Sequence, residues 1–150
     1  MTVTSGPDRV TADVRAGIEE LVAEHAWILD HGDPRDLPRL YTADGELLGL
    51  GDPLVGQAAL QGWADRRATL TERTSRHVHT NLRLRTGADG TVRGTLMTLL
   101  YRHDGAGTGP SWPLLVLDYT DVYAREGDRW LFASRSIERV FTDPDREAAR

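Results

Sequence analysis

Between residues 12 and 30, Val14, Ile18, Leu21, Val22, His25, Ile28 and Leu29 recur at intervals of three and four, the spacing that gathers side chains on one face of an α-helix. Thr11 is placed to cap that helix at its N-terminus and Gly32 to end it. Asp33 followed by Pro34 and Asp36 repeats the helix-start pattern and predicts a second, short helix to about Tyr41. Asp44-Gly45 reads as a turn, Glu46 to Leu50 as a short strand, and Gly51-Asp52-Pro53 closes it. Gly56 then opens a third helix carrying Leu60, Trp63 and Leu70.

After Arg73 the period changes from helical to two. From Arg76 to Arg85, His77, His79, Asn81, Arg83 and Arg85 alternate with Val78, Thr80, Leu82 and Leu84, which predicts a strand with those two sets on opposite faces. Gly87-Ala88-Asp89-Gly90 is a hairpin turn into a second long strand over 91–103. The glycine-rich loop 105–109 leads to a third strand from Trp112 to Tyr123, and Glu126-Gly127-Asp128 turns into a last one from Arg129 to about Phe141. The tail from Asp143 to Arg150 is expected to fray. Three helices, one short strand among them and then a four-stranded antiparallel meander predict an α+β fold: a cone-shaped barrel in which the helices pack on one face of a curved, mainly antiparallel sheet.

Composition narrows the chemistry more than the fold. A chain of 150 residues is expected to be one domain over 1–150, with a core of about 12–141. No apolar run approaches the length of a bilayer span, no basic segment leads into an apolar run near Met1, and there is no cysteine. A cytoplasmic, membrane-free protein without disulfides or thiol chemistry is expected. The net charge of -5 carries no basic block, so nucleic acid is not an expected partner. Gly105-Ala-Gly-Thr-Gly109 precedes Pro110 and a strand rather than a helix, so it does not read as a dinucleotide loop. His77-x-His79 puts two imidazoles on one strand face, but no carboxylate nearby in sequence completes a metal site; no metal or other cofactor is expected.

The stretches Trp27-Ile-Leu-Asp-His-Gly-Asp, Leu40-Tyr-Thr-Ala-Asp-Gly, Trp63, Arg76-His-Val-His-Thr-Asn81, Asp118-Tyr-Thr-Asp-Val-Tyr and Gly127-Asp-Arg-Trp-Leu-Phe-Ala-Ser-Arg135 together resemble the SnoaL-like branch of the nuclear transport factor 2-like superfamily. The resemblance spans roughly residues 12 to 141. It implies a cone-shaped pocket in which acids and bases act without a cofactor, as in polyketide cyclases, scytalone dehydratase-like enzymes and ketosteroid isomerase relatives. It assigns Asp30 and His77 as the catalytic pair. A carboxylate on one ring nitrogen would fix the imidazole tautomer and raise the basicity of the other nitrogen. By the same resemblance Tyr119 and Arg135 face the pocket, where a phenol or guanidinium would stabilise an enolate oxygen.

His79 and Asn81 share the predicted face of His77, and Trp27, Trp63 and Trp112 are candidates for an aromatic wall, so Trp27, His79, Asn81, Tyr119 and Arg135 form the expected substrate-binding set. Where scytalone dehydratases carry two tyrosines and a second histidine, this sequence has Leu29, Gly49 and Arg102, so that particular reaction is not implied. Helical geometry alone turns Asp30 away from the stripe through Ile18, Leu21 and His25; only the resemblance points it inward. Structural roles stand beside these: Asp30 bracing the turn before Gly32, His77 and Asn81 tying strand to loop, His25 as a satisfied core histidine, His31 as a turn residue. The expected partner is a small, largely apolar, oxygenated substrate such as a polyketide intermediate. The other reading is a non-catalytic binding or assembly subunit resembling the small subunit of ring-hydroxylating dioxygenases. The apolar set Val78, Thr80, Leu82 and Leu84, left uncovered by helices on the other face, predicts a homodimer.

Overall fold

The computed structural model describes residues 8–147. Helix α1 (Ala12–Asp30) begins where Thr11 accepts a hydrogen bond from the Val14 amide at 3.3 Å, and buries Ile18, Leu21, Val22, His25 and Ile28 along the predicted stripe. Asp33 caps a 3₁₀ helix (Pro34–Leu40) by accepting from the Arg35 amide. Strands β1 (Tyr41–Leu48) and β2 (Leu54–Val55) follow, then helix α2 (Gln57–Ala68). The rest of the chain is the expected meander: β3 (Arg73–Thr86), β4 (Val92–Asp104), β5 (Leu115–Glu126) and β6 (Arg129–Thr142), with a single helical turn, α3 (Pro144–Glu147), at its end.

The six strands form one sheet in the order β2-β1-β6-β5-β4-β3. All pairs are antiparallel except β1 with β6, which run parallel; β2, α2 and the strands β3 to β5 lie between them in sequence, long enough a connection for a parallel pair. α1 lies against β3 and β6, and α2 against the 3₁₀ helix and β1, so the helices close one face of the sheet as expected. Between them lies a core that includes Ile18, Leu37, Leu47, Leu60, Tyr123 and Phe132. No helix among the described residues is long and apolar enough to cross a membrane.

Five local expectations are corrected. Asp44-Gly45 does not turn the chain out of the sheet: it lies inside β1, at a register shift between Tyr41 and Glu46 against β6. A bulge absorbs the turn-forming pair while the strand continues. Leu70 falls beyond α2 and is exposed, and Trp112 precedes β5 and is exposed, its indole N–H donating to Asp143 at 2.9 Å. The start of the tail is not frayed, since Asp143 holds Trp112 and Arg146 donates to the Arg102 carbonyl at 2.7 Å; the remainder lies outside the described residues. The strand register changes most at Asn81. Here φ is +58°, and the register steps from Thr80–Met97 to Arg83–Thr95, so Asn81 and Leu82 together oppose Leu96 alone. This bulge reverses the alternation. Val78 stays exposed, whereas Leu84 turns into the core and Leu82 packs against it, so the predicted common face of Val78, Thr80, Leu82 and Leu84 does not exist.

Candidate active site

Asp30 is the last residue of α1, yet its side chain is only 7% exposed. A second stripe explains it. Arg15, Glu19, Val22, Ala26 and Asp30 recur at helical spacing along the side of α1 that borders a groove against β3, next to the stripe that faces the core and sharing Val22 with it. At the end of that stripe the Asp30 carboxylate accepts three hydrogen bonds: from the His77 amide at 2.7 Å, from the Ser75 hydroxyl at 2.8 Å, and from His77 Nδ1 at 2.7 Å. Burial raises the carboxyl pKa, but the hydrogen bonds and charge supplied by His77 and Ser75 outweigh it and leave the group below its ordinary value. Asp30 is therefore an anion that fixes the proton of His77 on Nδ1 and leaves Nε2 as the basic nitrogen. Ser75, which the sequence reading did not single out, shares the strand parity of His77, and that alternation was the signal for it.

His77 stands between two cavities. Outside it runs an open groove of about 610 Å³, to which Trp27, Asp30, His79 and Asn81 also contribute. Inside lies the cone itself, a more enclosed cavity of about 240 Å³ between the helices and the sheet. Its walls are Leu29, Leu47, Trp63, Leu100, Leu115, Leu117 and Ile137, with His25, Ser75, His77 and Tyr119 among its polar lining. Leu29, Gly49 and Arg102, the three positions that depart from the dehydratase pattern, all line this cavity. Gly49 has φ +94°, and a Cβ there would collide with the Ile137 carbonyl, so this part of the wall requires glycine.

The expected binding set divides accordingly. Tyr119 lines the cone and is 4% exposed. Burial raises its phenol, Arg135 opposes that, and the net effect is a pKa pushed up to about 12, so the hydroxyl stays a proton donor at neutral pH. Arg135 does not reach the cavity. It is fully buried, with Nε and Nη2 bonded to Asp121 at 2.9 and 2.7 Å, and its guanidinium carbon lies 4.7 Å from the Tyr119 ring centroid and 4.2 Å from that of Phe132. Its contact with the lining of the cavity is through the Tyr119 ring. Asp121, a missed residue, is directly opposite Arg135 in the β5–β6 register and also accepts the Tyr123 hydroxyl at 2.6 Å.

His79 faces Thr98 across the β3–β4 ladder, its Nδ1 2.7 Å from Thr98 Oγ1. Burial first, then the charges of Arg135 and His77, lower its pKa to about 3, so it is neutral. Trp27 is corrected: it is 59% exposed and packs on His31 with ring centroids 4.4 Å apart, on the groove and not the cone. Asn81 is likewise moved to the groove by its bulge. His25 is the core histidine foreseen, 3.1 Å from the Tyr41 hydroxyl. With Nδ1 of both His77 and His79 already engaged, no group of three or more metal-ligating side chains is assembled among the described residues.

A family model described as a SnoaL-like domain matches residues 10–136. The chain belongs to this family. No curated protein gives a significant match. Among solved structures, this SnoaL-like chain is similar to one from Catenulispora acidiphila in complex with S-DNPA, at 26% identity over 93% of this chain and 100% of that one, with a TM-score of 0.68. It is also similar to Aln2 from a Streptomyces species, at 20% identity over 94% and 99% of the two chains, with a TM-score of 0.76. A putative scytalone dehydratase from Novosphingobium aromaticivorans aligns at 18% identity over 85% of each chain, with a TM-score of 0.73. The last two establish the shared fold.

Proposed function

We propose that this SnoaL-like protein is a cofactor-independent acid/base enzyme that cyclises, dehydrates or isomerises a largely apolar oxygenated small molecule, such as a polyketide intermediate. The carrying observation is the Asp30–His77 pair, 2.7 Å apart, with His77 standing in the wall of the inner cavity. Family membership and the similarity to a putative scytalone dehydratase support the same reading.

In this mechanism His77 Nε2 removes a proton from a carbon next to a substrate carbonyl. The C–H electron pair moves into the enolate, and the imidazolium is stabilised by Asp30, which stays ionised. The Tyr119 hydroxyl donates a hydrogen bond to the enolate oxygen, and Arg135 beneath its ring strengthens that donor without touching substrate. Return of the proton to another carbon gives isomerisation. Its delivery to a leaving hydroxyl expels water, and attack of the enolate carbon on a second carbonyl, whose oxygen takes the proton, closes a ring. Leu29, Trp63, Leu115 and Ile137 supply apolar surface beside the pair. An assembly role needs no such cavity, whereas here the cone is open and His77 stands in its wall. The reading includes a homodimer of cytoplasmic subunits.

The test uses 2-tetralone in D₂O, with exchange of the protons next to its carbonyl followed by NMR. Wild-type protein accelerates exchange over buffer. His77→Ala and Asp30→Asn each lose on the order of 10²-fold or more, and the double variant is no worse than the more damaging single one because the two act as a unit. A folded His77→Ala protein that exchanges the probe at the wild-type rate moves the base elsewhere.

A further inference from the structure

His25 is a polar group of the cone that proton transfer by His77 leaves unused. It stands one helical turn before Leu29 on the same side of α1, and both residues line the cavity. Its side chain is 4% exposed, and its ring meets Phe132 edge-on with centroids 5.3 Å apart. An apolar residue would fill such a place without the cost of burying two ring nitrogens, so each nitrogen needs a partner or a purpose.

Nε2 lies 3.1 Å from the Tyr41 hydroxyl. That hydroxyl is itself buried, and His25 is its one hydrogen-bond partner among the described residues. If the oxygen accepted from an Nε2–H, its own proton would have no acceptor; the phenol therefore donates and Nε2 accepts. Burial, the largest influence on Tyr41, keeps the phenol protonated far above neutral pH. His25 is neutral, held so by burial first and then by the charge of Arg135, and its single ring proton stands on Nδ1. Nδ1 has no hydrogen-bond partner among the described residues, yet it is not sealed in: the buried side-chain atoms without a partner there are His79 Nε2 and Arg135 Nη1. Nδ1–H therefore meets open space, and the cavity that His25 lines is the cone.

The charges around the cone favour a donor at that place. The Arg135 guanidinium carbon is 4.7 Å from the Tyr119 ring centroid and 4.2 Å from that of Phe132, which in turn packs on His25. Its positive charge is felt at both His25 and Tyr119, where it outweighs that of its partner Asp121. No Asp or Glu among the described residues lines the cavity. We propose that His25 is a catalytic residue: a neutral imidazole whose Nδ1–H donates a hydrogen bond to the substrate oxygen that gains charge as His77 Nε2 takes the carbon proton, with Tyr119 as the other donor. This rests on the reading of the cone as the substrate site. The Nδ1 proton is not transferred; the electron pair of the C–H bond ends on the oxygen, and the two fixed donors stabilise it there.

The first test needs no turnover. In histidine-labelled wild-type protein near neutral pH, long-range proton–nitrogen NMR spectra are expected to show His25 protonated on Nδ1. Saturating 2-naphthol, a flat analogue of the 2-tetralone enol, is expected to shift that nitrogen and to bind about tenfold or more tightly than 2-methylnaphthalene, which lacks the oxygen. In His25→Gln, whose amide can still accept from Tyr41 but puts no donor where Nδ1 stood, the preference falls below about threefold. His25→Asn, with its amide nitrogen near the place of Nδ1, regains most of it. In the 2-tetralone assay His25→Gln lowers kcat on the order of 10²-fold with little change in KM, and His25→Asn recovers a large part of that loss. A ring proton on Nε2, a nitrogen unmoved by bound 2-naphthol, no binding of 2-naphthol at millimolar concentration, or a loss in His25→Gln that His25→Asn does not relieve overturns the proposal. Exchange that depends on His77 but not on His25 removes this donor and leaves the base standing. A shifted Nδ1 in a protein that exchanges no 2-tetralone leaves the donor standing and removes the catalytic reading for that substrate.

Discussion

Asp30 and Asp121 show two ways in which a buried carboxylate is, or is not, legible in a sequence. Asp121 lies on the same alternation as Leu117, Tyr119 and Tyr123, so strand parity alone sends it inward, where a charge needs a partner, and Arg135 is that partner. Asp30 follows a helical stripe that looks polar because Arg15 and Glu19 begin it; only the resemblance to a family pointed it toward His77. The buried histidines give this scale its prediction. His79, lowered to about 3, and His25, held well below the ordinary imidazole value of 6.5 by burial first and then by the charges of Arg135, His77 and His79, are neutral in the folded protein. The unfolded chain binds protons at these groups from about pH 6.5 downward, so between that value and the folded pKa the unfolded state holds more protons, and stability is lost as pH falls. The depressed Asp30 carboxyl loses its contribution only as pH drops below about its ordinary 3.8, a separate window. Urea unfolding from pH 7.5 to 4.5 is therefore expected to show a decline approaching about 1.4 kcal/mol per pH unit for each histidine, with a slope smaller by about one proton in His79→Ala. A curve flat across that window would show that these histidines charge freely in the fold.

Element boundaries followed the chemistry of caps and turns wherever those were local. Thr11 and Asp33 cap their helices as the sequence indicated, and α1 begins and ends at the expected residues. What escaped were irregularities inside strands, two of which shape the site's surroundings. At Asp44-Gly45 a turn-forming pair is carried within β1, because pairing with β6 on one side and β2 on the other outweighs the local preference. At Asn81 an unbroken alternation hides a bulge, since a two-residue period carries no mark of where one residue is inserted. The outcome is functional: before the bulge Ser75, His77 and His79 face inward, and after it Leu82 and Leu84 do, so a polar site and an apolar core share one strand. Asn tolerates a left-handed φ of +58° better than other non-glycine residues. Asn81→Gly is expected to unfold within about 0.5 kcal/mol of wild type, whereas Asn81→Val loses about 1–2 kcal/mol in urea unfolding at neutral pH. Equal stability of the two variants would show that the backbone at this position is not held in that conformation.

At the scale of the whole molecule, the α+β layout and the side on which the helices pack were legible because they depend on periodicity summed over long segments. The surface left uncovered was not, since it depends on the bulges. Strand register now defines it: Val78, Leu99, Val116 and Phe141 are successive direct partners across β3, β4, β5 and β6, an apolar row crossing the outer face of the sheet. Val78 is 45% and Phe141 67% exposed at its two ends, while the neighbouring inward residues Leu100, Leu115 and Leu117 are buried. Directly opposed apolar side chains form a continuous strip instead of scattered spots, and a strip of this kind is self-complementary about a two-fold axis. The homodimer predicted from the sequence is thus retained with a different set of residues, Leu82 and Leu84 giving way to Leu99, Val116 and Phe141. Sedimentation equilibrium at tens of micromolar is expected to give twice the chain mass for the wild type and the monomer mass for Val78→Asp combined with Phe141→Asp. Both substitutions lie at exposed positions, so circular dichroism and His77-dependent proton exchange should be retained in the monomer, because every residue of the proposed site comes from one chain. A wild-type protein that stays monomeric at those concentrations would mean that the strip is simply solvated, and loss of exchange on dissociation would mean that the second subunit completes the cone.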